Sequence, residues 1–163
     1  MKAQDLDFNV FEKIGEEWAL VSAGNEEKSN TMTISWGGVG VLWHKEVAFL
    51  FIRESRYTRE FLDNSETFSV AFFDEKYKKA LEFCGSASGR DREDKWADAG
   101  LTPVCNDGVV YPKEANLVFK CKKMAKVPIG AETFTVPGLE EEHYADHDMH
   151  VMYIGEIAEV VKC

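Results

Sequence analysis

The chain has 163 residues, with 19 Lys and Arg against 29 Asp and Glu, so its formal net charge is −10. That length predicts a single domain over 1–163, and a chain of this size buries roughly 70% of its unfolded surface without disulfide or metal staples. Hydrophobic residues at 45% argue against disorder, and the acidic balance argues against a nucleic acid or an anionic membrane as partner, because both are held by cationic groups.

No apolar run approaches the roughly 18 residues of a membrane span. The N-terminal stretch carries Asp5 and Asp7 in place of a signal-type apolar core. Cys84, Cys105, Cys121 and Cys163 form no CxxC pair, which leaves neither a zinc knuckle nor a thioredoxin-type motif. Reduced thiols in a cytoplasmic protein are expected.

In chain order, Trp18–Ala23 is a β-rich run ended by Gly24-Asn25, and Thr31–Trp36 alternates until Gly37-Gly38 breaks it. Val47–Ile52 is continuously apolar and predicts a strand covered on both faces. A short helix is expected over Thr58–Asn64 and a strand over Thr67–Phe73. Tyr77, Ala80, Leu81 and Cys84 follow helical spacing, with Gly85 as the stop. Glu93–Ala99 reads as a second short helix closed by Gly100, and Asn116–Lys122 and His150–Ile157 as the last strands. Strands with a few helices between them predict a mainly β fold, a β-barrel with helical insertions, and not a doubly wound sheet.

Several nucleotide and nucleophile motifs are absent. Gly38 and Gly40 begin a GxGxxG pattern, but Trp43 stands where its last glycine belongs. No P-loop exists, and Gly85-Ser86-Ala87-Ser88-Gly89 lacks the central serine of a nucleophile elbow.

Two segments suit an anion. Arg53, Arg56 and Arg59 fall within seven residues that open a helix, with Thr58 as the expected N-cap, and a first helical turn offers free N–H groups and a positive dipole end. Gly85-Ser86-Ala87-Ser88-Gly89 exposes backbone N–H groups that make an anion nest, with Lys95 beyond it. The simpler reading of both is surface charges paired with the many acids, and composition by itself favours it. His143, His147 and His150 stand among Glu140, Glu141, Glu142, Asp146 and Asp148. The HExxH frame and thiolate ligands are missing, so no metal is expected there.

Taken together, Asn30–Trp36, Phe51–Thr58, Phe68–Phe73, Ser88–Asp91 through Lys95, Gly100-Leu101 and His150–Ile157 resemble the flavin reductase-like FMN-binding split-barrel family, and within it the flavoredoxin-like branch. The resemblance runs from about Trp18 to Ile157. It implies a six-stranded Greek-key split barrel, a homodimer, and FMN as cofactor. It carries FMN contacts onto three segments: Asn30, Thr31, Met32, Thr33, Ser35 and Trp36; Arg53, Arg56, Tyr57 and Thr58; and Gly85, Ser86, Ser88 and Lys95. Asn30, Thr33 and Ser35 then supply hydrogen bonds along the ring's polar edge, and Trp36 its apolar wall. Glu46 and Glu54 stand where the family often has proline, and Met149 precedes His150 where an Asp is common.

The function implied is an FMN-dependent oxidoreductase, fed by NAD(P)H or a redox protein, with His150 contacting the nicotinamide. The alternative is a flavin-binding carrier or sensor without turnover.

Overall fold

A computed structural model describes residues 1–162. In chain order the elements are β1 (Ala19–Gly24), β2 (Ser29–Ile34), β3 (Gly37–Leu42), β4 (Lys45–Arg53), α1 (Tyr57–Asn64), β5 (Thr67–Phe72), α2 (Lys78–Ser86), α3 (Lys95–Asp98), β6 (Pro103–Asn106), β7 (Val109–Pro112), β8 (Leu117–Pro128), α4 (Leu139–His143) and β9 (His150–Lys162).

Seven strands form one antiparallel sheet in the order β2-β1-β5-β8-β9-β4-β3, and β6 and β7 form a separate ribbon. The sheet curls until β2 touches β4. Alternate residues then point into one interior, where Val21, Met32, Leu50, Ile52, Phe68, Val70, Phe119 and Tyr153 pack together. Two register shifts between β8 and β9, at Lys120/Cys121 and Lys123/Ala125, supply the local bend such curling needs. The outer face of β1, β5 and β8 carries a second core, in which Leu20, Ala71 and Val118 meet Leu81 and Cys84 of α2, Trp96 of α3 and Val110 of the ribbon. The mainly β barrel with helical insertions is therefore the observed architecture, with seven strands in the main sheet where six were expected.

The extra strand is β3. Its glycines read as a break, yet they are what lets the hairpin form: a Cβ on Gly38 would lie 2.6 Å from the Phe49 ring that crosses the strand. The two-residue turn of this hairpin, Trp43-His44, holds both residues at positive φ (51° and 60°), a conformation that suits Asn and Gly better. The turn of the β6–β7 ribbon, Asp107-Gly108, is of the same kind with favourable residues, and this ribbon was not among the expected strands.

Two other expectations are corrected. β4 is not covered on both faces: Ala48, Leu50 and Ile52 are buried, while Phe49 and Phe51 on the outer face are half-buried and pack on each other at 6.3 Å. Helix α2 does not stop at Gly85 but runs through Ser86. Its last carbonyls are bonded from outside, Gly85 O by Arg56 at 3.0 Å and Cys84 O by Lys95 at 3.0 Å, which supports the final turn where a glycine would otherwise end it.

Candidate functional site

The end of β4, the start of α1 and the turn after α2 enclose a cleft of about 520 Å³. Asn30 and Met32 of β2, Arg53, Ser55, Arg56, Tyr57 and Thr58, the turn Ala87–Asp91, Lys95, Asp146 and Asp148 line it. The N-cap of α1 is Arg56, not Thr58, and its side chain makes no capping bond. Thr58 is the second helical residue, 1% exposed. Its hydroxyl oxygen accepts from Asn30 Nδ2 at 2.9 Å, which leaves the hydroxyl proton to donate. The N–H groups of Tyr57 and Thr58 in the first turn of α1, with the dipole behind them, therefore remain for a ligand, while Arg59 N donates to Arg56 O at 3.1 Å.

Opposite them, the turn Gly89–Asp91 is capped by Ser88, whose hydroxyl accepts from Arg90 N at 3.2 Å. Gly89 packs directly on the β2 wall: a Cβ there would lie 2.4 Å from Asn30 Oδ1 and 3.0 Å from Tyr57 Cδ1. Arg90 lies over the Tyr57 ring at 5.0 Å and pairs with Glu60, not with its neighbouring acids. Lys95 is 5% exposed with Cys84 O as its hydrogen-bond partner. Burial lowers its pKa to about 8, against an opposing pull from Cys84 and with a smaller push from Arg56. These groups make a cationic, donor-rich cradle at one end of the cleft.

The other end is held by Arg53. Its guanidinium donates to Asp148 O at 3.0 Å and to Asp146 and His143 O at 3.4 Å, and Asp148 accepts from Ser55 N and Oγ at 3.0 and 2.6 Å. Arg53 is thus spent on fixing the segment 143–149 against β4. Beyond it, His150 is the β9 partner of Arg53. The imidazole lies 5.1 Å from the half-exposed Trp36 ring and bonds Tyr144 through Nδ1 at 2.8 Å. Burial first, and then the Arg53 charge, lower the pKa of His150 to about 4, so the ring is neutral at physiological pH.

Of the residues singled out in the sequence, Asn30, Met32, Arg53, Arg56, Tyr57, Thr58, Ser88 and Lys95 line the cleft. Trp36 and His150 lie together beside Arg53. Four others are engaged elsewhere. Thr31 Oγ1 donates to Val21 O and accepts from Ser22, Thr33 donates to Leu81 O, Ser86 bonds its own helix at Glu82 O and Phe83 O, and Gly85 contributes its carbonyl to Arg56. Ser35 lines no part of the cleft. Ser55, Arg90 and Tyr144 were not singled out, and Gly89, Asp146 and Asp148 were named without being assigned to the cofactor site. Gly89 closes the glycine-serine segment and Arg90 follows it directly, so both were legible beside the nest, whereas the 144–148 residues reach the site only through the fold. Among the described residues no group of three or more His, Cys, Asp and Glu is arranged to hold a metal ion, and no helix is long and apolar enough to cross a membrane.

The model of the flavin reductase-like domain matches residues 11–162. Among solved structures, flavoredoxin of Desulfovibrio vulgaris (Miyazaki F) is similar at 23% identity and a TM-score of 0.69, over 90% of this chain and 69% of that one. An FMN-binding protein from Thermus thermophilus with bound p-hydroxybenzaldehyde is similar at 20% identity and a TM-score of 0.70, over 100% and 81%. The styrene monooxygenase flavin reductase from Pseudomonas putida S12 is similar at 16% identity and a TM-score of 0.64, over 90% and 79%. Comparison with curated protein sequences gives no match. With the domain match spanning the barrel, both cores and the cleft, this chain belongs to the flavin reductase-like family.

Proposed function

We propose that this chain binds FMN in the cleft and works as an FMN-dependent oxidoreductase. One observation carries the reading: Arg56, Arg90, Lys95, the Thr58 hydroxyl and the open first turn of α1 converge on one end of a single cleft. A terminal phosphate matches that donor set of cations and N–H groups, in which Arg56 and Lys95 otherwise meet backbone carbonyls and Arg90 pairs with Glu60.

FMN, when bound, supplies hydride acceptance and onward electron transfer. The protein's own residues do the rest. Lys95, Arg56, Arg90 and Thr58 would hold the phosphate, and Asn30 fixes the Thr58 hydroxyl by donating to its oxygen, which leaves its proton for the ligand. Arg53 and Ser55 hold the segment 143–149 at the other end. His150 offers a neutral polar contact beside Trp36 for the nicotinamide of NAD(P)H, or for whatever group a protein redox partner presents.

A homodimer belongs to this reading. The outer face of β4 and β9 pairs Phe49 with Ile154 and Phe51 with Met152, and Val127 of β8, 44% exposed, lies beside Met152. This apolar face leads toward Trp36 and His150, so a second copy seated on it would also wall the flavin site. Buried, unpaired Cys84 and Cys121 suit the reducing cytoplasm.

The test is an absorbance spectrum of the FMN-loaded protein before and after NADH or NADPH without oxygen. Bleaching by either is the expected result. Bleaching by dithionite alone would replace direct reduction with the carrier or partner-fed reading, and failure to bind FMN at all would remove both.

A further inference from the structure

Tyr144 and His150 form a buried polar pair that no part of the cofactor cradle uses. They are 7% and 6% exposed. Tyr144 follows α4, and its ring is held between Phe134, at 5.7 Å, and the Arg53 guanidinium, at 5.6 Å. Arg53 is itself fixed by Asp146, Asp148 and the His143 carbonyl. The phenol therefore has little freedom, and its one hydrogen-bond partner among the described residues is His150 Nδ1, at 2.8 Å.

Both partners are neutral. Burial raises the pKa of the Tyr144 phenol, and burial lowers that of His150. A neutral phenol carries one proton to donate, and a neutral imidazole has one ring nitrogen that accepts. If Nδ1 carried the hydrogen, the Tyr144 proton would be left buried without an acceptor, which is the more expensive arrangement. The network therefore has Tyr144 donating and Nδ1 accepting, and the ring hydrogen sits on Nε2. No protein group bonds Nε2 among the described residues. The one sealed side-chain polar atom without a hydrogen bond among them is Arg59 Nε, so Nε2 is not sealed from solvent. Trp36, 48% exposed, stands 5.1 Å from the same imidazole and presents a flat apolar wall.

We infer that Tyr144 is the positioning residue of this site: its hydroxyl fixes His150 in the tautomer whose Nε2–H is offered to a carbonyl or carboxamide oxygen of a flat, uncharged group resting against Trp36. The tautomer rests on the hydrogen-bond network alone. The identification of the acceptor as part of a flavin substrate rests on the proposed FMN reading. A neutral donor suits an uncharged oxygen better than a carboxylate, which a charged imidazolium would favour.

The test reads the tautomer directly, by long-range proton–nitrogen correlation spectra of the histidine rings in the FMN-loaded protein, with His150→Gln to assign the resonance. Wild type is expected to show the Nε2–H form, with nicotinamide shifting that proton. Tyr144→Phe is expected to give a tautomer mixture at His150, unchanged rings at His44, His143 and His147, an unchanged FMN affinity, and a KM for NADH raised about fivefold, the size of one neutral hydrogen bond. In a His150→Gln background, whose amide has no tautomer to fix, Tyr144→Phe adds nothing further to KM. An Nδ1–H form in wild type, an unaltered tautomer in Tyr144→Phe, or an equal KM loss in both backgrounds overturns the positioning role. A His150 resonance that ignores nicotinamide overturns the subsite. Loss of FMN binding in the wild-type titration would instead refute the flavin reading, and the tautomer of the protein without flavin would still decide the role of Tyr144.

Discussion

Replacing Lys95 by methionine separates what the residue does for folding from what it does for the cofactor. The ammonium is 5% exposed, has one carbonyl partner, and has its pKa lowered from 10.5 to about 8, chiefly by burial. At about 1.4 kcal/mol per pKa unit, keeping that charge buried costs the empty protein about 3 kcal/mol near pH 7. Methionine fills similar space without the charge but leaves Cys84 O unbonded, a loss of about 1–3 kcal/mol. The two effects offset. Lys95→Met without flavin should be as stable as wild type, or up to about 2 kcal/mol more stable, in urea unfolding. FMN affinity should nevertheless fall about 10- to 150-fold, the size of one charge-assisted bond, as read by quenching of flavin fluorescence.

The same residue predicts a proton balance. A phosphate beside Lys95 favours its charged form and raises its pKa. Wild type should then take up close to one proton on binding FMN when the pH lies above about 8, and Lys95→Met should take up none. Calorimetry in two buffers of different ionisation enthalpy measures this. A variant that loses more than about 1 kcal/mol of stability while binding FMN as wild type does would refute the reasoning and return Lys95 to a purely structural cap of α2.

Gly89→Ala should displace either Asn30, which is pinned to Thr58, or the Gly89–Asp91 turn, because its Cβ would sit 2.4 Å from Asn30 Oδ1. The expected result is at least about tenfold weaker FMN binding with a loss of only about 1–2 kcal/mol in stability, measured on the same titration and melt. His150 gives a pH signature. Its folded pKa of about 4 lies below the ordinary 6.5, so between those values the unfolded chain binds the proton and the folded one does not. Its contribution is complete above the upper value and lost as the pH falls toward the lower. From about pH 7 to pH 5 wild type should lose about 2 kcal/mol more than His150→Gln, and parallel pH profiles of the two would refute the neutral imidazole. Phe51→Glu, on the outer face of β4, should convert a dimer to monomers in sedimentation at micromolar concentration while the isolated barrel stays folded. A wild type that sediments as a monomer would remove the dimer.

The sequence by itself determined the barrel. Alternation in Thr31–Trp36, the strand-forming run Thr67–Phe73 and the apolar core of β4 are local patterns, and short β-rich runs bounded by turn residues have few other ways to fold. It also marked both sides of the cradle, because glycines, serines and arginines at a helix start or tight turn carry their anion chemistry in the backbone. The β6–β7 ribbon was not expected, although its Asp107-Gly108 turn carries residues that favour a hairpin.

What only the tertiary structure decided is where each polar side chain spends its hydrogen bonds. Thr31 and Thr33 sit on the strand face that meets β1 and α2, while Asn30 and Met32 face the cleft, and the sheet's curl makes that choice. Arg53 looked like a phosphate ligand but is claimed by Asp146 and Asp148, 93 and 95 residues further on. Arg90 has Asp91 beside it in the sequence but reaches Glu60 across the Tyr57 ring. Tyr144 carried no local signal, because its role exists only once β9 brings His150 back beside the end of β4. Periodicity encodes which face of an element is buried. The partner of a long polar side chain is fixed by contacts distant in sequence, and those belong to the folded chain alone.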